Sequence, residues 1–296
     1  MNSSIMPPPF SEEEGRRATA ITTEMLVCMN SHFAPALRFL ANPHGLLPDL
    51  DVYAFLLELK RQCEEDSHFL KNSGSSGNFF TLAQIDLAIE GRNAAVHGRH
   101  SQVLTKWNEY LRSWRYITRK IGQESYLDKI HQDSIRINRI ANSSHGNNIP
   151  TNYATSRQGR DAATMLINEM IVAMNSQFAP ALVSFCRQIQ LSPYLNRFGS
   201  VLDVDVQGHI RALKDKCCKD REFLANQGTG NNSFTRRQLA LSLLARNAVA
   251  HGKRQQVLAK WRVFMNSWIY ILRKIGKDEH ADQLERIFDF MCEIEK

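Results

Sequence analysis

One long segment occurs twice in this chain, and the repeat constrains the fold more than any other feature. Residues Lys60–Gly122 align with Lys214–Gly276 without a gap, and nearly half of the aligned positions are identical. Upstream, MNSHFAPAL (Met29–Leu37) matches MNSQFAPAL (Met174–Leu182), and the second copy then has a longer connection around Leu191–Asp203. A repeat of this length corresponds to a whole domain rather than to a solenoid unit. The sequence therefore predicts two homologous domains in tandem.

Composition places the domain boundaries. Residues 1–10 contain three consecutive prolines and predict a flexible tail. Residues 141–156 are rich in Asn, Ser and Thr without apolar periodicity, which is typical of a linker. The two domains then occupy residues 11–140 and 157–296. With 43% hydrophobic and 23% charged residues, both have the composition of packed globular domains.

Helical periodicity accounts for each copy with four or five helices, and no strand alternation is convincing. The first helix is predicted over Glu12–Leu40 and again over Gly159–Gln190, with a break or kink at Pro35 and Pro180. A second helix is predicted over Val52–Leu70 in the first copy, and the equivalent one in the second copy ends at Leu224. Both second helices lead into polar, glycine-rich loops, which we interpret as plain connections.

The third and fourth helices carry clear end signals. Thr81 and Thr235 are each followed three residues later by glutamine, as in a capping box, so we expect them to be N-caps. Gly98 and Gly252 follow the third helix, where a left-handed C-cap residue is expected. The fourth helix has two tryptophans on one face, which favours a core role over base stacking. These tryptophans are Trp107 and Trp114 in the first copy and Trp261 and Trp268 in the second.

Together these patterns predict an all-α protein of two tandem homologous helical bundles, packed against each other as an intramolecular pseudo-dimer. Both copies end the third helix with an Arg-Asn-x-x-x-His-Gly element. Asparagine and histidine are four positions apart and share a helix face, and the long arginine side chain can reach the same end. The candidate residues are Arg92, Asn93 and His97 in the first copy and Arg246, Asn247 and His251 in the second.

These side chains suit the cleavage of an RNA phosphodiester. Attack by the ribose 2′-hydroxyl needs a base and an acid, and histidine can do either job at neutral pH. Arginine can clamp the phosphate where negative charge builds, and asparagine can orient the imidazole or the substrate. One copy supplies one histidine, so two copies facing each other give a composite site. The scheme requires neither a metal nor a cofactor. The structural alternative is a helix end stabilised by cationic side chains.

The RN-x3-HG element at a helix end resembles the HEPN superfamily, in the form found in several toxin or defence ribonucleases. The resemblance implies a small helical bundle that pairs so that two motifs face each other, and a metal-independent endoribonuclease. Its expected products are a 2′,3′-cyclic phosphate and a 5′-hydroxyl. It carries over to the six residues named above, and some HEPN domains serve only in RNA binding or assembly.

Further basic residues follow each motif and are candidates to line an RNA groove or to form a solvated face. They are Arg99, His100 and Lys106 in the first copy and Lys253, Arg254 and Lys260 in the second. The net charge of +7 permits a polyanionic partner such as RNA. No apolar run suits a membrane span and no secretory signal is recognisable, so we expect an intracellular protein, cytoplasmic or nuclear.

Several alternatives stay open at this point. The chain can be a non-catalytic RNA-binding module, a protein-assembly domain, or a toxin or defence component held by an inhibitor. The sequence also does not decide whether two chains pair as a homodimer, whether a regulatory protein binds, or which histidine is the acid.

Overall fold

A computed structural model describes most of the chain. The described residues are 11–41, 51–74, 76–143, 162–191, 206–226 and 231–294. Their regular structure is entirely helical and includes no strand, so the prediction of an all-α protein is confirmed for them. The predicted tail, most of the predicted linker and most of the longer connection around Leu191–Asp203 lie outside these residues. We call residues 11–143 the first half and residues 162–294 the second half.

Both halves contain helices in the same order. The first half has α1 (Glu12–Cys28), α2 (Ala34–Ala41), α3 (Val52–Glu65), α4 (Phe79–Val96), α5 (His100–Lys120) and α6 (Glu124–Asn142). The second half has α7 (Ala162–Ala173), α8 (Ala179–Gln188), α9 (Val206–Lys219), α10 (Ser233–Ala250), α11 (Arg254–Lys274) and α12 (Asp278–Ile294). A π-helical segment joins α1 to α2 at Met29–Phe33 and α7 to α8 at Met174–Phe178.

These π-helical segments lie just before the prolines that were expected to break or kink the first helix of each copy. The Ala34 N–H donates to the Met29 carbonyl, one residue further back than in an α-helix. Ala179 and Met174 make the same bond in the second half. The shifted register admits a residue that lacks an N–H and whose ring crowds the preceding turn. The backbone keeps right-handed helical angles at Met29 and Ala34, so the chain is not broken there.

The second helix is shorter than predicted, and the predicted threonine N-caps are wrong. Helix α3 ends at Glu65, and Leu70 has a left-handed φ of 52° that an α-helix cannot contain. Helix α4 begins at Phe79 with Asn78 as its N-cap, so Thr81 already lies within the first turn. The Thr81 hydroxyl donates to the Leu70 carbonyl at 2.8 Å instead of capping α4.

The second half shows the same corrections. Leu224 has a φ of 53°, and α10 begins at Ser233 rather than at Thr235. The Asn232 amide donates to three carbonyls near the end of α9, those of Cys217, Asp220 and Phe223, at 2.8, 2.8 and 2.9 Å. The Asn232 side chain at the start of α10 therefore binds carbonyl groups that have no helical partner at the end of α9.

The predicted C-cap glycines are confirmed. Gly98 and Gly252 have φ values of 58° and 61°, a conformation that costs glycine nothing. The following N–H groups, of Arg99 and Lys253, donate back to Ala94 and Ala248 at 2.9 and 2.8 Å. This Schellman arrangement turns the chain sharply after each motif histidine. Each histidine is thus held between the end of one helix and the start of the next.

Tryptophans occupy the core of each half, as predicted. Trp114 stacks on Phe33 with ring centroids 5.2 Å apart, and Trp268 stacks on Phe178 at 5.4 Å. Trp261 is also buried and Trp107 is partly buried. In the first half, α5 packs against α1, α4 and α6, while in the second α11 packs against α7, α10 and α12.

The halves contact each other through α1, α7 and the π-helical segments. Two hydrogen bonds cross this contact between buried side chains. The Asn168 amide donates to the Ser31 hydroxyl at 2.8 Å, and the Asn175 amide donates to the Thr23 hydroxyl at 3.0 Å. Buried polar groups of this kind fix the relative placement of the surfaces that carry them, because any shift leaves them without partners.

Candidate functional site

The two Arg-Asn-x-x-x-His elements contact each other across the halves. Nη2 of Arg92 lies 2.6 Å from Nδ1 of His251. In the opposite direction, Nη2 of Arg246 donates to the carbonyl of Val96, the residue before His97. The structure thus brings together residues from both motifs, and the ends of α4 and α10 lie side by side.

A further residue, Asp51, joins this contact. It is the N-cap of α3, where its Oδ1 accepts from the Tyr53 N–H at 3.2 Å. Its Oδ2 accepts from Nη2 of Arg92 and lies 2.6 Å from Nδ1 of His251. One carboxylate therefore connects an arginine of the first half to a histidine of the second.

The carboxylate of Asp51 is ionised in this setting. Burial alone would raise the pKa of Asp51, but the hydrogen bond from His251 and the positive charge of Arg92 outweigh it, so the pKa is lowered. An ionised oxygen can only accept, so the Nδ1–H of His251 is the donor. Arg92 and His251 are then neighbours because they share an acceptor. This assignment fixes the tautomer of neutral His251 and leaves its Nε2 with a lone pair for chemistry.

Both motif arginines are buried, with exposed fractions of 3% for Arg92 and 1% for Arg246. Nη1 of Arg92 donates to Oδ1 of Asn93 at 2.9 Å, and Nη1 of Arg246 donates to Oδ1 of Asn247 at 3.2 Å. Nη2 of Arg92 donates to Asp51 of its own half, and Nη2 of Arg246 binds across the halves to the Val96 carbonyl. The sequence suggested that these guanidinium groups clamp a phosphate, but their Nη atoms already hold protein acceptors. Each asparagine accepts from the arginine of its own motif.

Arg246 also acts on the guanidinium group of Arg92. The pKa of Arg92 is lowered, chiefly by burial, with the positive charge of Arg246 acting in the same direction and Asp51 opposing both. Nε of Arg92 is buried without a hydrogen-bond partner in the part of the chain that the structure describes. Two neighbouring positive charges favour an anion beside them, and the carboxylate of Asp51 is such an anion.

The histidines are more accessible than the arginines. The side chain of His251 is 26% exposed, and His97 is half-buried. The imidazoles are therefore partly open to solvent, whereas the guanidinium groups are buried. The orientation of His251 is fixed by Asp51.

Sequence reasoning missed Asp51, although a signal was present. Extended upstream without a gap, the repeat aligns Asp51-Val52 with Asp205-Val206. An aspartate before the second helix is thus common to both copies. Asp205 itself lies outside the described residues, so only the Asp51 half of this pattern is seen.

The six basic residues that follow the motifs have different surroundings, and His100 is half-buried. Arg99, Lys253 and Lys260 are exposed. Lys106 pairs with Glu90 at 3.0 Å, and Nη1 of Arg254 donates to the Thr164 hydroxyl at 2.7 Å. Arg99 and Lys253 directly follow the two C-cap glycines. They are the exposed cations closest in sequence to the motif histidines.

The described residues contain no group of three or more His, Cys, Asp or Glu side chains that could hold a metal ion. Within the same ranges, no helix is both long and apolar enough to span a membrane. Comparisons of the chain with family models, curated proteins and solved structures found no match.

Proposed function

We propose that the chain is a metal-independent endoribonuclease of the HEPN type, formed by a tandem duplication whose halves pair as an intramolecular pseudo-dimer. The observation that carries the proposal is the contact between the two motifs, in which Asp51 and Arg92 of the first half hold His251 of the second. An oriented, partly exposed imidazole beside a second histidine-bearing helix end is the arrangement that acid–base cleavage of RNA requires.

In the proposed reaction one imidazole removes the proton of the ribose 2′-hydroxyl. The 2′-oxygen then attacks the adjacent phosphorus while the bond from phosphorus to the 5′-oxygen breaks. The other imidazole gives its proton to the departing 5′-oxygen. The products are a 2′,3′-cyclic phosphate and a 5′-hydroxyl, and His97 and His251 exchange no atoms with the substrate beyond these protons.

The arginines act in this scheme as positioning residues. Nη2 of Arg246 holds the end of α10 against the end of α4, and Arg92 binds Asp51 and helps to keep it ionised. Phosphate binding falls to groups that face solvent. Arg99 and Lys253 are exposed, and each precedes the N-terminus of a 21-residue helix, whose first N–H groups favour an anion.

The experiment that tests this function uses purified full-length chain, single-stranded and structured RNA, and buffer with EDTA. Replacing His97 or His251 by alanine should lower the cleavage rate by about 10²- to 10⁴-fold, because each removes one proton-transfer group. The exposed His131 provides the matched control, and H131A should cleave like the wild type. Product ends are identified by their sensitivity to a cyclic-phosphate-opening enzyme.

The proposal fails if the wild-type chain cleaves none of these RNAs, or if H97A and H251A both cleave at the wild-type rate. Loss of cleavage in EDTA that added metal restores would remove the metal-independent mechanism. Circular dichroism of each variant shows that a lost rate does not reflect a lost fold.

The burial of both arginines favours a second candidate, a helical assembly in which the motifs only hold the halves together. Under this alternative R92A and R246A lower the melting temperature or change the oligomeric state, and no variant affects RNA. The nuclease proposal expects the two histidine variants to lose cleavage while keeping most of their stability, since His251 is partly exposed.

A further inference from the structure

The surface beside the motif contact differs between the halves. In the first half, α3 presents Tyr53 and Leu57, which are 37% and 42% exposed. They are one helical turn apart and therefore neighbours on one face. The gap-free alignment places Gln207 and Arg211 at the same positions of α9. The repeat thus has an aromatic and an apolar residue at these positions of α3 and polar residues at the aligned positions of α9.

Tyr53 adjoins the residues that orient His251. Its backbone N–H donates to Asp51, and its ring centroid lies 5.4 Å from the guanidinium carbon of Arg92. Since Arg92 also contacts His251, a single guanidinium group separates the ring from the imidazole. Because one face of the ring lies against Arg92, its exposed surface is the other face and the edge.

Tyr53 differs in position from the other exposed aromatic side chains of the described residues. Phe79, Phe80 and Phe234 are also exposed, but they lie at the starts of α4 and α10, the opposite ends of those helices from the motifs. A flat ring with one free face can stack on a nucleobase of any identity, and such stacking does not depend on Watson–Crick groups. A base can reach it only when it is unpaired and turned out of a helix.

Resting on the proposed nuclease function, we infer that Tyr53 stacks on an unpaired base next to the scissile phosphate, with Leu57 extending the apolar surface. The substrate is then single-stranded RNA. Because the second half has Gln207 and Arg211 in the equivalent places, the two ends of the bound strand meet different surfaces. The RNA consequently lies across the site in one direction, which gives each histidine a fixed role.

The test is a binding cycle on full-length chain carrying H97A, so that the RNA stays intact. Dissociation constants are measured by fluorescence anisotropy at fixed salt for an RNA that the wild type cleaves. The same RNA is then measured with one abasic position moved along the neighbourhood of the cut. Y53A should weaken binding of the intact RNA by about 5- to 150-fold, the range that base stacking supplies.

Three matched changes make the result specific. At one abasic position, Y53A should cause no further loss, because the base that the ring contacts is already missing. Y53F keeps the ring and should bind like its parent, whereas Q207A at the equivalent position should weaken all RNAs alike or not at all. Melting temperatures confirm that each variant is folded.

Equal weakening of intact and abasic RNA by Y53A would overturn the inference, because it would indicate a general effect of the lost ring on the site. Unchanged binding by Y53A would overturn it as well. Both outcomes leave the nuclease proposal standing, since that proposal depends on cleavage by the wild type and its loss in H97A and H251A. Binding of duplex RNA as tightly as of single strands would also exclude an unpaired base.

Discussion

At the scale of single residues, the carboxylate of Asp51 contacts the N-terminus of α3, Arg92 and His251. It caps α3 through Oδ1, and its Oδ2 meets both Arg92 and His251. The N-terminus of a helix stabilises a negative charge, and so do Arg92 and the Nδ1–H of His251. All three groups therefore favour the ionised form of Asp51. The position of His251 is therefore set by a residue that the motif itself does not contain.

Replacing Asp51 by asparagine should slow RNA cleavage by at least about tenfold while leaving α3 intact. Asparagine caps helices as well as aspartate does, but its amide can present a donor to Nδ1 and stabilise the wrong tautomer of His251. The rate constant and the Michaelis constant are measured separately, and the loss is expected in the rate constant. D86N, which alters only an exposed pair with Lys60, is the control and should cleave normally.

The lowered pKa of Asp51 also predicts a pH dependence of stability. A carboxyl whose pKa is lower in the folded state contributes stability above its unfolded pKa of about 3.9, and that contribution is lost as pH falls through the folded value. The difference in unfolding free energy between wild type and D51N should thus be largest near neutral pH and shrink in acid. Urea titrations at several pH values measure it, and a difference that grows in acid would contradict the assigned direction.

At the scale of helices, local signals predicted the ends that depend on local geometry. Gly98 and Gly252 were placed correctly because a left-handed C-cap requires a residue without Cβ. The starts of α4 and α10 were misplaced because Asn78 and Asn232 bind carbonyls of the preceding helix. Asn78 reaches the carbonyl of Cys63, fifteen positions away, and no local pattern encodes such a bond.

Gly252 is expected to be more sensitive to substitution than its conformation alone requires. A methyl group there would overlap Oδ1 of Asn30, which belongs to the other half. Gly276 has a similar φ of 70° and no described atom within 4 Å of the added carbon. G276A should therefore cost about 1–2 kcal/mol for its left-handed backbone, and G252A about 1–3 kcal/mol more for the steric conflict.

Chemical denaturation of the two variants provides the measurement. G252A should also lose RNA cleavage in excess of its lost stability, since it moves the residue next to His251 against the other half. Equal unfolding free energies for G252A and G276A would show that the close approach of Gly252 to Asn30 does not exist in solution.

At the scale of the whole molecule, the internal repeat predicted which residues contact each other but not the geometry of their contacts. The repeated motif predicted a composite site. The structure brings Arg92 to His251, and Arg246 to the residue before His97. Burial of the arginines could not be read from the sequence, because it depends on how two helical bundles contact each other. The sequence offered one signal for a role of Asp51, the Asp-Val pair that occurs in both copies. Its partner His251 is 200 positions away, so no local pattern relates the two residues.

If the proposed site is formed within one chain, mixing two inactive variants should not restore cleavage. H97A and H251A each lack one imidazole of their own site, so an equimolar mixture should remain as inactive as either variant alone. Recovery of about a quarter of the wild-type rate would instead place the reactive histidines on different chains, because half of the randomly formed dimers are mixed and each has one intact site of two. The mixture is incubated at high concentration before the cleavage assay, with size-exclusion chromatography recording the oligomeric state.

The hydrogen bond between His251 and Asp51 spans 200 positions of the chain. During synthesis, the first half leaves the ribosome while its partner histidine is still untranslated. In the proposed nuclease, a nascent or prematurely terminated polypeptide therefore lacks half of its reactive groups. The order of translation would protect the cell's own messages, including the one being read, until the enzyme is complete.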